Sequence, residues 1–280
     1  MKRAFLLLAG VLALTACEQP KAGEPVVTVN LGDETTDEIA PASQDGATPA
    51  LATGPSTCAQ KVFEEVAFTH CIADPDEHVI SAAYSAPGQS EALGSLGALA
   101  EIVDAGDVAF AMNGGAFSDD LTPRGYLVAS GDRIAELDRG SGDGNFYLKP
   151  NGVFFGGSGR WRILTTSRFL NTVSDRPQFG TQSGPMLLVG GELGDAISED
   201  GNSRAVRNGV GVDGDGKAHF VISNAPVSFG LLARFLRDEA GARDALFLDA
   251  NSSSLWDPAT GRMDTGRTGP ILLVSKKASS

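Results

Sequence analysis

The chain alternates short apolar runs with small polar clusters, and where the runs stop is as informative as the runs themselves. Val108 to Met112 is continuously apolar and ends at Asn113-Gly114-Gly115, the pattern of a buried strand that delivers a polar loop to a sheet edge. Ala245 to Leu248 is built alike and ends in Asp249-Ala250-Asn251-Ser252. An amphipathic helix pattern precedes each run, carried by Leu96, Leu99, Ala100 and Val103 in the first case and by Leu231, Leu232, Phe235 and Leu236 in the second. Ser95 and Ser228 are the expected N-caps, Gly106 and Gly241 the expected stops, which places the helices near 95–105 and 228–240. Two helix-then-strand units thus release polar groups at a strand's C-terminal end, where open α/β sheets bind ligands.

The same pattern predicts strands near Val62 to Phe68, Val79 to Tyr84, Gly125 to Ala129, Gly152 to Phe155, Trp161 to Leu164, Pro185 to Val189, Gly209 to Val212, Ala218 to Ser223 and Ile271 to Val274. Glycine is abundant, at 35 residues, and most apolar segments are short and bounded by Gly, Asn or Asp. This excess of strands over helices predicts an α/β fold of the α+β type: a mixed, strand-rich sheet core with a few flanking helices, forming a single domain over residues 58–280.

Ahead of that domain the pattern changes. Met1-Lys2-Arg3, the apolar stretch Ala4 to Leu14 and then Leu14-Thr15-Ala16-Cys17 read as an export signal, too short to span a bilayer. Its last four residues resemble a bacterial lipobox, so residues 1–16 are the expected signal peptide and Cys17 the expected site of lipidation; an ordinary secretory signal is the alternative. Residues 17–57, rich in Glu, Asp, Pro, Ala, Thr and Gly, are the expected disordered tether. Removal of the signal takes Lys2 and Arg3 with it, moving the formal charge from −13 to −15, which argues against nucleic acid or an anionic membrane surface as partner. Cys58 and Cys71 remain, and in an exported chain they are expected to form a disulfide.

Candidate chemistry gathers at the predicted strand ends. Asn145, Lys149 and Asn151 stand among aromatic residues after Asp143; Gln182 and Ser183 precede Gly184-Pro185; Arg204 and Arg207-Asn208 precede the strand at Gly209. Arginine pairs bidentately with phosphate, and Arg204 and Arg207 are spaced to reach one anion if the segment bends. A Ser-His-Asp hydrolase is disfavoured because His70, His78 and His219 lie outside these clusters, and no paired-histidine spacing suggests zinc. Asp213-Gly-Asp-Gly216 reads as a hairpin turn rather than a calcium loop. No metal or cofactor is expected.

Taken together, Asn113-Gly114-Gly115-Ala-Phe with Pro123-Arg124-Gly-Tyr, Asn145-Phe-Tyr-Leu-Lys149-Pro-Asn-Gly-Val-Phe, Gln182-Ser183-Gly-Pro-Met-Leu, Arg204 with Arg207-Asn208-Gly-Val-Gly, and Leu248-Asp249 resemble the phosphodiester glycosidase family, in the same order from Phe63 to Val274. The resemblance implies hydrolysis of a sugar-1-phosphodiester, with Asn113, Gln182, Arg207 and Asp249 on signature positions. It implies that Asp249 acts as nucleophile or acid/base, with Asp143 as second carboxylate ahead of Asp119 or Asp120. Arg204 and Arg207 would hold the phosphate, and Arg124, Asn145, Lys149, Ser183, Asn208, Ser252 and the Gly114-Gly115 backbone would line the ligand. The family commonly has glycine directly after the aspartate, whereas this chain has Ala250, a bulkier residue at a place of close ligand approach. The expected protein is therefore an envelope lipoprotein hydrolase acting on a sugar phosphodiester or glycan; the alternative is a non-catalytic lipoprotein that binds anionic sugars.

Overall fold

Because both faces of most strands are apolar, the chain needs cover on two sides of each sheet, and it builds three sheets around one shared core. The computed structural model describes residues 54–248 and 253–278, which fall in one compact unit, 47–280. The largest sheet has seven strands in the order Cys58–Phe63, Val66–Ala73, Ala218–Ser223, Asn208–Val212, Asp244–Phe247, Met186–Val189 and Glu192–Leu193. A five-stranded sheet runs Arg262–Met263, Leu255–Asp257, Val108–Asn113, Ile271–Lys276 and His78–Ala83; the other runs Asp132–Ala135, Leu127–Ala129, Phe179–Ser183, Gly152–Gly157 and Arg160–Thr165.

The inner faces meet in a single cluster: Phe220, Val210 and Leu246 from the first sheet, Phe110, Met112 and Leu272 from the second, Phe154, Phe179 and Trp161 from the third. Each outer face then receives its own helix. Leu231, Leu232, Phe235 and Leu236 pack on Phe68, Val221 and Leu187; Leu96 and Leu99 pack on Ala111 and Ile271; Phe169 packs on Tyr126, Val153 and Phe155. Strands covered this way bury side chains of both orientations, which is why Val108–Asn113 is buried at every position.

The strand-rich core with few helices is as expected. The direction of pairing differs: every pairing among the described residues is antiparallel rather than mixed. Ser95 and Ser228 cap their helices through Ala98 N and Leu231 N. The first helix, Leu96–Ala100, is shorter than expected and ends well before Gly106; the second, Phe229–Arg234, continues as a π-helical turn, Phe235–Glu239, and meets Gly241 at φ 65°. The strand expected over Val62 to Phe68 is instead a hairpin, reversed at Glu64-Glu65, where both residues take positive φ. Strands Phe179–Ser183 and Leu255–Asp257 and the helix Thr166–Thr172 were not expected. Asp213 to Gly216 forms the turn of the Asn208–Val212/Ala218–Ser223 hairpin, its Asp213 carboxylate accepting from Asp215 N and Lys217 N.

The Cys58–Cys71 disulfide staples the first hairpin at directly paired positions. Next to it, His70 Nε2 lies 2.9 Å from His219 Nδ1, and His219 Nε2 lies 3.1 Å from Asp213 Oδ2. Burial, reinforced by charge on His219 and Lys61, pushes the His70 pKa down to about 4. An unfolded chain would therefore bind a proton at His70 between about pH 6.5 and 4 that the folded chain refuses, so stability is full above that window and falls through it on acidification. The expected loss is about 3 kcal/mol. Urea midpoints measured at pH 7 and 4.5 should diverge more for wild type than for His70→Gln; equal pH slopes would rule out this source.

Candidate functional site

The cleft that emerges lies where the C-terminal ends of one strand from each sheet come together: Asn113, Ser183 and Phe247. Ser183 Oγ donates to Leu248 O at 3.2 Å, joining two of these ends, and Gly115 N donates to Thr181 Oγ1 at 2.9 Å, joining the third. Above them opens a cleft of about 480 Å³ lined by Phe117, Phe146 and Phe247 together with Asp119, Arg124, Asp143 and Asn145. The structure thus brings the predicted Arg124, Asp143 and Asn145 to one place, with Leu248 on the same wall. Asp249 and Ser252 lie outside the described residues; Asp249 is next in sequence to Leu248.

Asn113 sits beneath this cleft, fully buried. Its Oδ1 accepts from Asn208 Nδ2 at 2.7 Å and from Ser254 N at 2.9 Å. Asn208 Oδ1 accepts from Ser253 Oγ at 3.1 Å, and Asn208 O accepts from Leu248 N at 3.1 Å. Asn113 and Asn208 therefore tie together the two places, Leu248 and Ser253–Ser254, that bracket residues 249–252. Substrate contact was the expectation for both asparagines; the geometry gives them a clasp instead. Gly114 and Gly115 also depart from expectation. Neither takes positive φ, and their N–H groups go to Pro270 O and Thr181 Oγ1 rather than to the cleft. Gly115 is required because a Cβ there would stand 2.1 Å from Gln182 O, so the loop can cross strand Phe179–Ser183 only without a side chain.

Gln182, 1% exposed, has its amide fully engaged by protein: Oε1 accepts from Tyr126 N and Asp138 N, while Nε2 donates to Asp138 O and Thr166 Oγ1. A direct ligand contact would have to displace one of these bonds, so the amide positions the loop that starts at Asp138. Ser183 is likewise buried on Leu248 O. Arg204 and Arg207 do not converge. Arg204 is exposed, whereas Arg207 is 2% exposed, with Nε on Val227 O and Nη2 on Ser203. Its guanidinium lies 3.7 Å from the Phe229 ring centroid and 5.5 Å from that of Phe247, and Nη1 has no partner among the described residues. Burial lowers its pKa below the ordinary arginine value. No carboxylate pairs with it among the described residues, so it is a fixed, uncompensated positive charge behind a cleft wall. Lys149 lines a neighbouring cavity rather than the cleft.

Of the alternative carboxylates, Asp119 lines the cleft beside Asp143, whereas Asp120 turns back to accept from Ser118 Oγ and Thr122 N. The aromatic walls Phe117, Phe146 and Phe247 were not singled out from the sequence, although each adjoins a polar cluster that was. His70 and His219 stand apart from the cleft, on the seven-stranded sheet.

A strand-rich α+β scaffold holding a cleft with carboxylates, an arginine and an amide on aromatic walls is that of a hydrolase-like enzyme. Residues 106–266 match the phosphodiester glycosidase family, and the chain belongs to it. YigE of Escherichia coli strain K12 is 33% identical over 174 residues, covering 62% of this chain and 68% of that protein. Among solved structures, the catalytic domain of zebrafish N-acetylglucosamine-1-phosphodiester alpha-N-acetylglucosaminidase, auto-inhibited by its pro-peptide, has the same fold, with a TM-score of 0.53 and 13% identity over 82% of this chain and 87% of that one. A protein of Burkholderia pseudomallei K96243 named for its expected export has a TM-score of 0.52 and 14% identity over 80% of this chain and 75% of that one.

Proposed function

We propose that the protein is an exported lipoprotein hydrolase that cleaves sugar-1-phosphodiesters in envelope or exopolysaccharide glycans. The observation that carries this reading is the meeting of Arg124, Asp143 and Asn145 in one cleft whose wall ends at Leu248, the residue before Asp249. In the reaction a water adds to the anomeric carbon while the bond from that carbon to the phosphate oxygen breaks, leaving the free sugar and a phosphomonoester. Positive charge grows on the sugar and negative charge on the leaving phosphate, so a carboxylate is needed on one side and a cation on the other. Asp249 serves as nucleophile or acid/base, Asp143 as the second carboxylate, and the phenyl walls exclude water. Arg124 contacts the phosphate, Asn145 a hydroxyl, and Arg207 adds its field through the Phe247 wall without touching the ligand.

Export is supported by the signal-like Met1 to Ala16 and by the Cys58–Cys71 bridge, which persists in oxidising compartments. Cys17 is the proposed lipid anchor and lies outside the described residues. No helix among the described residues is long and apolar enough to cross a membrane. Ala250 in the place of the family's usual glycine is the feature that favours the second reading, a non-catalytic binder of anionic glycans.

Incubation with a panel of sugar-1-phosphodiesters in ¹⁸O-labelled water separates these readings. The expected products are a sugar labelled at its anomeric hydroxyl and an unlabelled phosphomonoester. Label in the phosphate would mean phosphorus–oxygen cleavage and defeat the glycosidase assignment, while binding without product on long incubation would leave the binder.

A further inference from the structure

Behind the loop that supplies Asp143, Asn145 and Phe146 to the cleft lies a second cavity, of about 320 Å³. Arg139 and Lys149 stand at it from the two ends of that loop, with the hydroxyls of Thr165 and Ser167 opposite. No carboxylate lines it, although the chain has 35 acidic residues against 22 basic ones. Neither cation makes an ion pair among the described residues. The nearest carboxylate in sequence, Asp138, is turned away and accepts from Tyr147 Oη and Gly140 N.

Both cations spring from fixed roots. Asp138, before Arg139, is held through its N–H and C=O by Gln182, and Pro150, after Lys149, accepts from Met186 N. Thr165 Oγ1 and Ser167 Oγ lie 3.3 Å apart at the start of helix Thr166–Thr172 and keep hydrogen-bonding capacity to spare. Two like charges held over one cavity without a protein anion between them repel each other, and an anion bound there removes that repulsion while accepting charge-assisted hydrogen bonds. The cavity and the cleft share a partition: Asn151, a wall of the cavity, donates Nδ2 to the carbonyl of Phe146, a wall of the cleft, at 3.0 Å.

We propose that the Arg139–Lys149 cavity is a second anion subsite, taking the next phosphate or carboxylate of a polyanionic glycan whose scissile phosphodiester lies in the cleft. The substrate half of this statement rests on the phosphodiesterase reading of the cleft; anion binding by the cavity does not. The substrate class is thereby a charged repeating glycan rather than an isolated sugar phosphodiester.

The test uses the full chain, with tripolyphosphate and an oligogalacturonate as probes in calorimetric titrations at fixed ionic strength. Arg139→Ala combined with Lys149→Ala should weaken tripolyphosphate binding at least tenfold, whereas the charge-matched pair Arg160→Ala with Arg243→Ala, both exposed and away from the cavity, should change it less than twofold. A parallel tenfold loss for oligogalacturonate marks a general anion subsite; loss for tripolyphosphate alone marks a phosphate subsite. Equal losses in the two double variants, an unchanged affinity, or no binding of either probe by wild type would each overturn the proposal. In turnover, the cavity variant should lose about tenfold in kcat/KM on a substrate with two phosphodiester repeats and less than twofold on one with a single repeat. If no phosphodiester is hydrolysed while tripolyphosphate still depends on Arg139 and Lys149, the cleft reading fails and the subsite stands.

Discussion

Replacing Gln182 by leucine should lower stability by about 3 to 6 kcal/mol, enough to unfold much of the population of an ordinary domain near its working temperature. Leucine has nearly the same volume, so the loss comes from polar groups left without partners. Tyr126 N, Asp138 N and Asp138 O all meet the Gln182 amide, which is 1% exposed, and water cannot replace it there. Each orphaned group costs about 1 to 3 kcal/mol. Chemical denaturation should show the midpoint shift, and hydrogen exchange should show lost protection at Tyr126 and Asp138 even where the fold survives. A stable variant with a raised KM and an unmoved midpoint would instead make Gln182 a direct ligand group.

Asp249→Asn should reduce kcat by about a thousandfold or more while changing substrate affinity little, because the amide keeps the shape of the carboxylate and removes its charge. Asp143→Asn should also lower kcat and should remove one limb of the pH–rate profile, as loss of an acid or base partner does. Both measurements need a cleavable sugar phosphodiester and an isothermal binding control. Full turnover by Asp249→Asn would move the nucleophile or base to another carboxylate, with Asp143 and Asp119 the two that line the cleft.

The apolar runs were legible because burial on both faces leaves no alternation to misread: Val108–Asn113 and Ala218–Ser223 are buried throughout. Strand Phe179–Ser183 was hidden by Thr181, Gln182 and Ser183, polar residues whose partners lie far away in sequence, as Tyr126 does 56 residues from Gln182. The Glu64-Glu65 reversal carries none of the usual glycine or asparagine; Glu64 is instead held by both of its oxygens on Arg234, a contact 170 residues distant. Helix Thr166–Thr172 buries only Thr166 and Phe169, too little to leave a periodic signal. Pairing direction was not legible at all, since sheet neighbours such as Met186–Val189 and Asp244–Phe247 are separated by the length of a subdomain. For the site, the sequence marked a set of polar residues without their roles. An asparagine or glutamine at a strand end serves a ligand or the backbone equally well, and only the distances to Asn208, Ser254, Tyr126 and Asp138 decide it.

The clasp of Asn113, Asn208 and Ser253 holds its two attachment points without calling on any side chain from 249–252 in the bonds described above. That separates what anchors the segment from what the segment carries, so the four-residue span behaves as an exchangeable cassette. Grafting the corresponding stretch from a relative, glycine after the aspartate included, alters reactivity while the scaffold stays intact. Selection on this family can revise its chemistry by rewriting a handful of codons, and a library randomised only at 250–252 samples that same space in the laboratory.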